Sequence, residues 1–168
     1  RRQPSRGEHV VALTRPFNSW DPDVAWLDIN GGLTLYVWIE HRSTVRGQIL
    51  ITHEQGQQTI VWEGVIALAA SDHNLSCARC VSAADQYFAV YWLDYDTVGG
   101  SAQLESRIAD MEALNLAVGW VAMSDITLED AGLYDVKQVE NPTATSEYML
   151  AWATSTSQVI VRRITGND

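Results

Sequence analysis

The chain repeats itself. Val10-Val11-Ala12-Leu13-Thr14, Val65-Ile66-Ala67-Leu68-Ala69 and Trp120-Val121-Ala122-Met123-Ser124 start at 10, 65 and 120, two equal steps of 55 residues. Each puts two large apolar residues before an alanine, then Leu or Met, then a small residue in the first two and a small polar one in the third. A second series ends apolar runs in tryptophan: Leu33-Thr34-Leu35-Tyr36-Val37-Trp38, Tyr87-Phe88-Ala89-Val90-Tyr91-Trp92 and Tyr148-Met149-Leu150-Ala151-Trp152. Upstream of these lie Asp23-Val24-Ala25-Trp26, Cys77-Ala78-Arg79-Cys80 and Asp135-Val136-Lys137-Gln138, and downstream lie polar/apolar alternations at 46–51, 103–108 and 158–164. The elements keep one order in all three units. A period of this length confines the chain to architectures built from stacked units, each unable to bury its apolar face alone.

Each unit holds four runs of about 5–8 β-prone residues separated by loops, the length of strands rather than helices. One stretch, 107–117, is helix-like, with apolar Ile108, Met111, Leu114 and Leu116. The repeat places there the hairpin between a third and a fourth strand, so it reads as strand and turn. Four-stranded sheets recurring every ~45–60 residues are the signature of propeller blades. The expected fold is therefore all-β, a β-propeller of three four-stranded blades. Its expected parts are a flexible tail at 1–7, a closing strand at 8–14, and blades at 22–70, 75–124 and 133–164. The last blade lacks its outer strand, and the N-terminal strand completes it. Rings need about four to eight blades, so the rest would come from a second copy (three blades plus three) or from further blades of a larger chain.

The Tyr-Val-Trp and Val-Tyr-Trp endings, followed by a polar strand, resemble repeats of secreted bacterial propeller proteins, over about residues 8–164. The repeated motif lacks the Trp-Asp dipeptide pattern of WD repeats, the paired glycines of kelch repeats and the Ser-x-Asp-x-Gly-x-x-Trp box of sialidases. The resemblance implies a fold and no activity, because propellers host many unrelated functions.

A net charge of −10, from 11 basic and 21 acidic residues, excludes the clustered cations that nucleic-acid binding and anionic membrane surfaces require. No apolar run approaches the ~18 residues of a membrane-spanning helix, so no membrane insertion is expected. Seven Trp, a single Lys (Lys137) and many Ser and Thr give an extracellular or cell-surface composition. The opening Arg1-Arg2-Gln3-Pro4, without an initiating Met, suits a processed product, a trimmed chain or a piece of something longer.

His73-x3-Cys77-x2-Cys80 is the one metal-like cluster. On a regular strand, residues three apart point to opposite faces about 10 Å apart, which forbids a shared metal or a mutual disulfide unless the strand bulges. Reduced thiols are the favoured reading, with no metal and no cofactor. Zinc, or a disulfide to a cysteine outside the chain, is the alternative. Carboxylates are plentiful, and two or three converging acids could run glycoside hydrolysis, but solvated loop acids explain them more simply. No Gly-x-Ser-x-Gly elbow occurs. Trp20, in Asn18-Ser19-Trp20-Asp21-Pro22, breaks the phase of the repeat and offers an aromatic face beside Asp21, as an interface anchor first and a sugar-stacking surface second. Asn74-Leu75-Ser76 fits the glycosylation sequon. The candidate ligand or interface loops carry Trp20, Asp21, His41, Asp94, Tyr95, Asp96, Asp130 and Tyr134. The expected function is a non-catalytic interaction or structural module, a subunit of a secreted or surface assembly. The alternative is a carbohydrate-binding lectin or a glycoside-hydrolase-type propeller. The corresponding loops at 40–46, 94–101 and 154–157 share no residues, which argues against a lectin with one site per blade.

Overall fold

β-Branched and aromatic residues form strands along the whole chain, because they pack well on a pleated, half-buried surface. The computed structural model describes residues 19–29, 32–53, 56–83, 86–111, 119–123, 128–129, 131–138, 147–154 and 158–165. Among these residues there are twelve strands and no helix. Strands β1 (Ser19–Leu27), β2 (Leu33–Glu40), β3 (Thr44–Thr52) and β4 (Gln58–Leu68) form a first antiparallel sheet in that order. A second sheet runs β5 (His73–Ala83), β6 (Tyr87–Asp96), β7 (Ala102–Asp110) and β8 (Val121–Ala122), with β9 (Leu128–Glu129) also on β7. The third is β10 (Ala131–Gln138), β11 (Glu147–Thr154) and β12 (Val159–Thr165). The expected all-β architecture is present, as antiparallel sheets of three and more strands. The helix-like stretch enters β7 as far as Asp110. The expected closing strand at 8–14 lies outside the described residues.

The sheets stack face to face, and β6 shows how. Phe88, Val90 and Trp92 point to one side and join a core with Leu35, Val37 and Ile39 of β2 and Val45 and Ile49 of β3. The residues between them, Ala89, Tyr91 and Leu93, point to the other side and join a core with Leu150 and Trp152 of β11. Period-two alternation therefore gives one strand two cores. Among the described residues the middle sheet separates the first-to-second sheet core from the second-to-third sheet core.

Side-chain size grades across the first core. Near the first strands of the sheets small residues, Ala25 on β1 and Ala78 and Cys80 on β5, sit in the core with Leu27 and Leu75. At the far side the gap is filled by Trp62 of β4 and Trp120 just before β8, whose rings lie 5.8 Å apart and tilted by 53°. Sheets that approach closely at one edge and are held apart by indoles at the other form a wedge. The Trp62 ring has room only because two facing glycines, Gly47 and Gly64, carry no side chain beneath it. A Cβ on Gly47 would lie 2.8 Å from Ile66 Cδ1 and 3.2 Å from Trp62 Cζ3. Gly47→Ala should therefore overpack this corner and destabilise the fold by about 1–3 kcal/mol, read from the shift of a urea unfolding midpoint. A midpoint equal to wild type would contradict the packing described.

Candidate functional site

The first strands of the three sheets meet at a bulge. In β5 the register with β6 slips between Ser76 and Arg79, leaving Cys77 and Ala78 opposite Trp92. In β1 it slips between Trp20 and Asp23, leaving Asp21 and Pro22 opposite Trp38. Bulged residues twist a strand and free it from its ladder. Asp21 (φ 50°) and Cys77 (φ 55°) both adopt the left-handed conformation, which costs a non-glycine residue roughly 1–3 kcal/mol unless its surroundings fix it. The surroundings do. Asp21 Oδ2 accepts the Cys77 N–H at 2.7 Å, Asp23 Oδ2 accepts the Cys80 N–H at 3.0 Å, and Tyr134 Oη of β10 donates to the Cys77 carbonyl. Burial pushes the Tyr134 hydroxyl well above its ordinary pKa, so it stays a donor at neutral pH.

Sequence reasoning placed Trp20 and Asp21 on a loop before the first strand, and Asp94 and Asp96 on one after the second. The structure corrects this: Trp20 and Asp21 lie within β1, and Asp94, Tyr95 and Asp96 end β6. Tyr134 lies within β10, and Asp130 is outside the described residues. The strand bulge that would have let the cysteines approach does exist, yet Cys77 faces the third sheet and Cys80 the first. Both are free thiols. Burial, and then the nearby Asp23 charge, pushes the Cys80 thiol well above its ordinary pKa, which makes it inert. Among the described residues no group of three or more His, Cys, Asp or Glu could hold a metal ion.

Beside the bulge, at one end of the first two sheets, opens a cleft of about 460 Å³ lined by Trp20, Asp21, Arg42, Asn74, Ser76 and Tyr95, floored by Ile39 and Leu75. Trp20 and Tyr95 are 41% and 42% exposed. Arg42 was not foreseen. It sits in the three-residue connection between β2 and β3, where His41 and Arg42 both have φ 55° and Ser43 N–H closes on Glu40 C=O at 3.1 Å. Positive φ at both central positions makes this the mirror-type hairpin turn, normally filled by Asn-Gly. The strained turn is tied down across the sheets, since Leu75 N–H donates to Arg42 C=O at 2.6 Å. The guanidinium stands 5.8 Å from the centre of the Trp20 ring, a cation–π contact. Asn74, noted in the sequence only as part of a sequon, pairs with Tyr95 across β5 and β6. His41 shares the Arg42 turn but does not line the cleft.

The remaining acids are tied into the structure. Asp94 Oδ1 pairs with His73 Nδ1 at 2.7 Å, and Asp96 Oδ1 caps its own turn through the N–H groups of Val98 and Gly99, both at 2.8 Å. Those two bonds hold the Asp96 carboxyl below its usual pKa. Comparison with protein-family models, with curated proteins and with solved structures finds no match.

The hydrogen bond to Asp94 raises the His73 pKa above its ordinary 6.5. A raised folded-state pKa means that the protonated pair adds stability below the unfolded value, and that this is lost as the pH climbs through the folded one. An NMR titration should place the His73 midpoint above 6.5, and Asp94→Asn should bring it down. A wild-type midpoint at or below the ordinary value would contradict the pairing.

Proposed function

We propose that the chain is a three-blade arc of a β-propeller, a non-catalytic interaction module in which two copies close one ring within a secreted or surface assembly. The observation that carries this reading is the direction of the stack. In-phase tryptophans face the same way: Trp92 points from the second sheet to the first, and Trp152 from the third to the second. By strand alternation, Trp38 takes the same place on the first sheet and points away from the second. That side also presents Val24 and Trp26, 54% and 56% exposed, and an apolar hollow of about 260 Å³ beside the β1 bulge. The corresponding place on the second sheet, beside the β5 bulge, is where Asp21 and Asp23 of the first sheet sit. At the opposite end, Val159 and Val161 of β12 are 74% and 58% exposed, next to Ala151 and Ala153.

A large-residue face at one end and a small-residue face at the other suit head-to-tail contact between copies. A two-fold pair makes that contact twice and leaves no open end. Exposed apolar side chains stand at both ends, and contiguous apolar patches mark interaction surfaces. The non-catalytic part of the reading draws on the use made of the acids: Asp21 and Asp23 hold backbone, Asp94 holds His73 and Asp96 its own turn. The resemblance to secreted propeller repeats accords with it.

Sedimentation at low micromolar concentration should give a species of twice the 18.7 kDa chain mass, and Trp26→Lys should shift it towards the single chain. A compact, folded species of 18.7 kDa for the unaltered protein would overturn the reading.

A further inference from the structure

We propose that the cleft between the first two sheets binds a neutral saccharide. Two aromatic rings, Trp20 and Tyr95, stand partly exposed at one site, and the C–H faces of a pyranose pack on such rings. Polar groups of both kinds line the same space with hydrogen-bonding capacity left over. The side chains of Asn74, Ser76 and Tyr95 make no hydrogen bond to any described residue. Asp21 uses Oδ2 on the Cys77 N–H, which leaves Oδ1. The Arg42 guanidinium has its contact with the Trp20 ring and no carboxylate partner among the described residues. A primary amide and a guanidinium each offer two coplanar hydrogen-bonding sites, the geometry that adjacent ring hydroxyls match, and Asp21 Oδ1 adds one acceptor.

The volume of about 460 Å³ lies in the range of small-ligand sites, roughly 300–1,000 Å³. The lining is also held in place before any ligand arrives. Asn74 and Ser76 are on β5, Tyr95 is on β6, and Asp21 and the Arg42 turn are each fixed by a backbone N–H of β5. Sites on strands locked by such bonds keep their geometry better than sites on free loops.

Charge narrows the ligand class. One guanidinium and the Asp21 carboxylate line the cleft, and Asp72, Asp94 and Asp96 lie close by around His73. That field repels phosphate, sulfate and uronate groups, while Arg42 already occupies the cation's place on Trp20. A neutral, hydroxyl-rich ligand is what remains. This proposal concerns the cleft alone and does not depend on how many copies close a ring.

The test probes an array of immobilised neutral and acidic glycans with the wild-type protein, Tyr95→Ala and Asn74→Ala. Thermal unfolding of each variant serves as the folding control. Retention of at least one neutral glycan is expected, weakened about ten-fold or more by Tyr95→Ala and several-fold by Asn74→Ala. Should Tyr95→Ala unfold, Tyr95→Phe keeps the ring and is expected to lose only part of the affinity. Retention of no neutral glycan, of acidic glycans alone, or equal retention by wild type and the folded cleft variants would overturn the proposal.

Discussion

The structure depends on how the backbone of one residue at the edge of the second sheet is satisfied. Cys77 bulges out of β5, so its N–H and C=O leave the ladder with β6. A buried polar group without a partner costs about 1–3 kcal/mol. Asp21 of the first sheet takes the N–H, and Tyr134 of the third gives its hydroxyl to the C=O. One residue thus ties all three sheets together, and Asp23 repeats the contact one step along at Cys80. The same carboxylates cover a strand edge that would otherwise offer itself for pairing. They hold the backbone, and this accounts for half-buried acids placed where the first two sheets meet.

The packing follows from that junction. Where the first strands are held together by short polar contacts, the small residues Ala25, Ala78 and Cys80 share the core with Leu27 and Leu75. Farther out the sheets splay, and the gap takes Phe88 and Trp92 and finally the Trp62–Trp120 pair over the Gly47 and Gly64 backbones. The gradient gives the stack a narrow and a wide side. The in-phase tryptophans give it a direction as well, so the two end faces are not copies of one another.

Much of the fold was legible because a repeat repeats its burial. The tryptophan-ending runs became β2, β6 and β11, and the polar alternations after them became β3, β7 and β12. The bulge was less legible. Pro22 inside a strand is a cue, because proline is tolerated only on edges and at bulges, but Asn18-Ser19-Trp20-Asp21-Pro22 reads as a loop by composition. The cysteine spacing was judged on a regular strand, and the bulge removed that premise. The two thiols were separated instead by pointing into different cores. Trp20, Asp21 and Tyr95 were picked out from the sequence and do share one cleft. Arg42 was not, since an arginine in a left-handed turn position announces nothing in sequence, and its place depends on a bond from Leu75 that only the tertiary structure supplies.

Amide hydrogen exchange, resolved by NMR at Cys77 and Cys80, tests the junction most directly. The account predicts slow exchange for both amides in the wild-type protein. It predicts a selective loss of protection at Cys77 in Asp21→Ala, with Cys80 still held by Asp23. Fast exchange at Cys77 in the wild-type chain, or a Cys77 rate unchanged by Asp21→Ala, would contradict it.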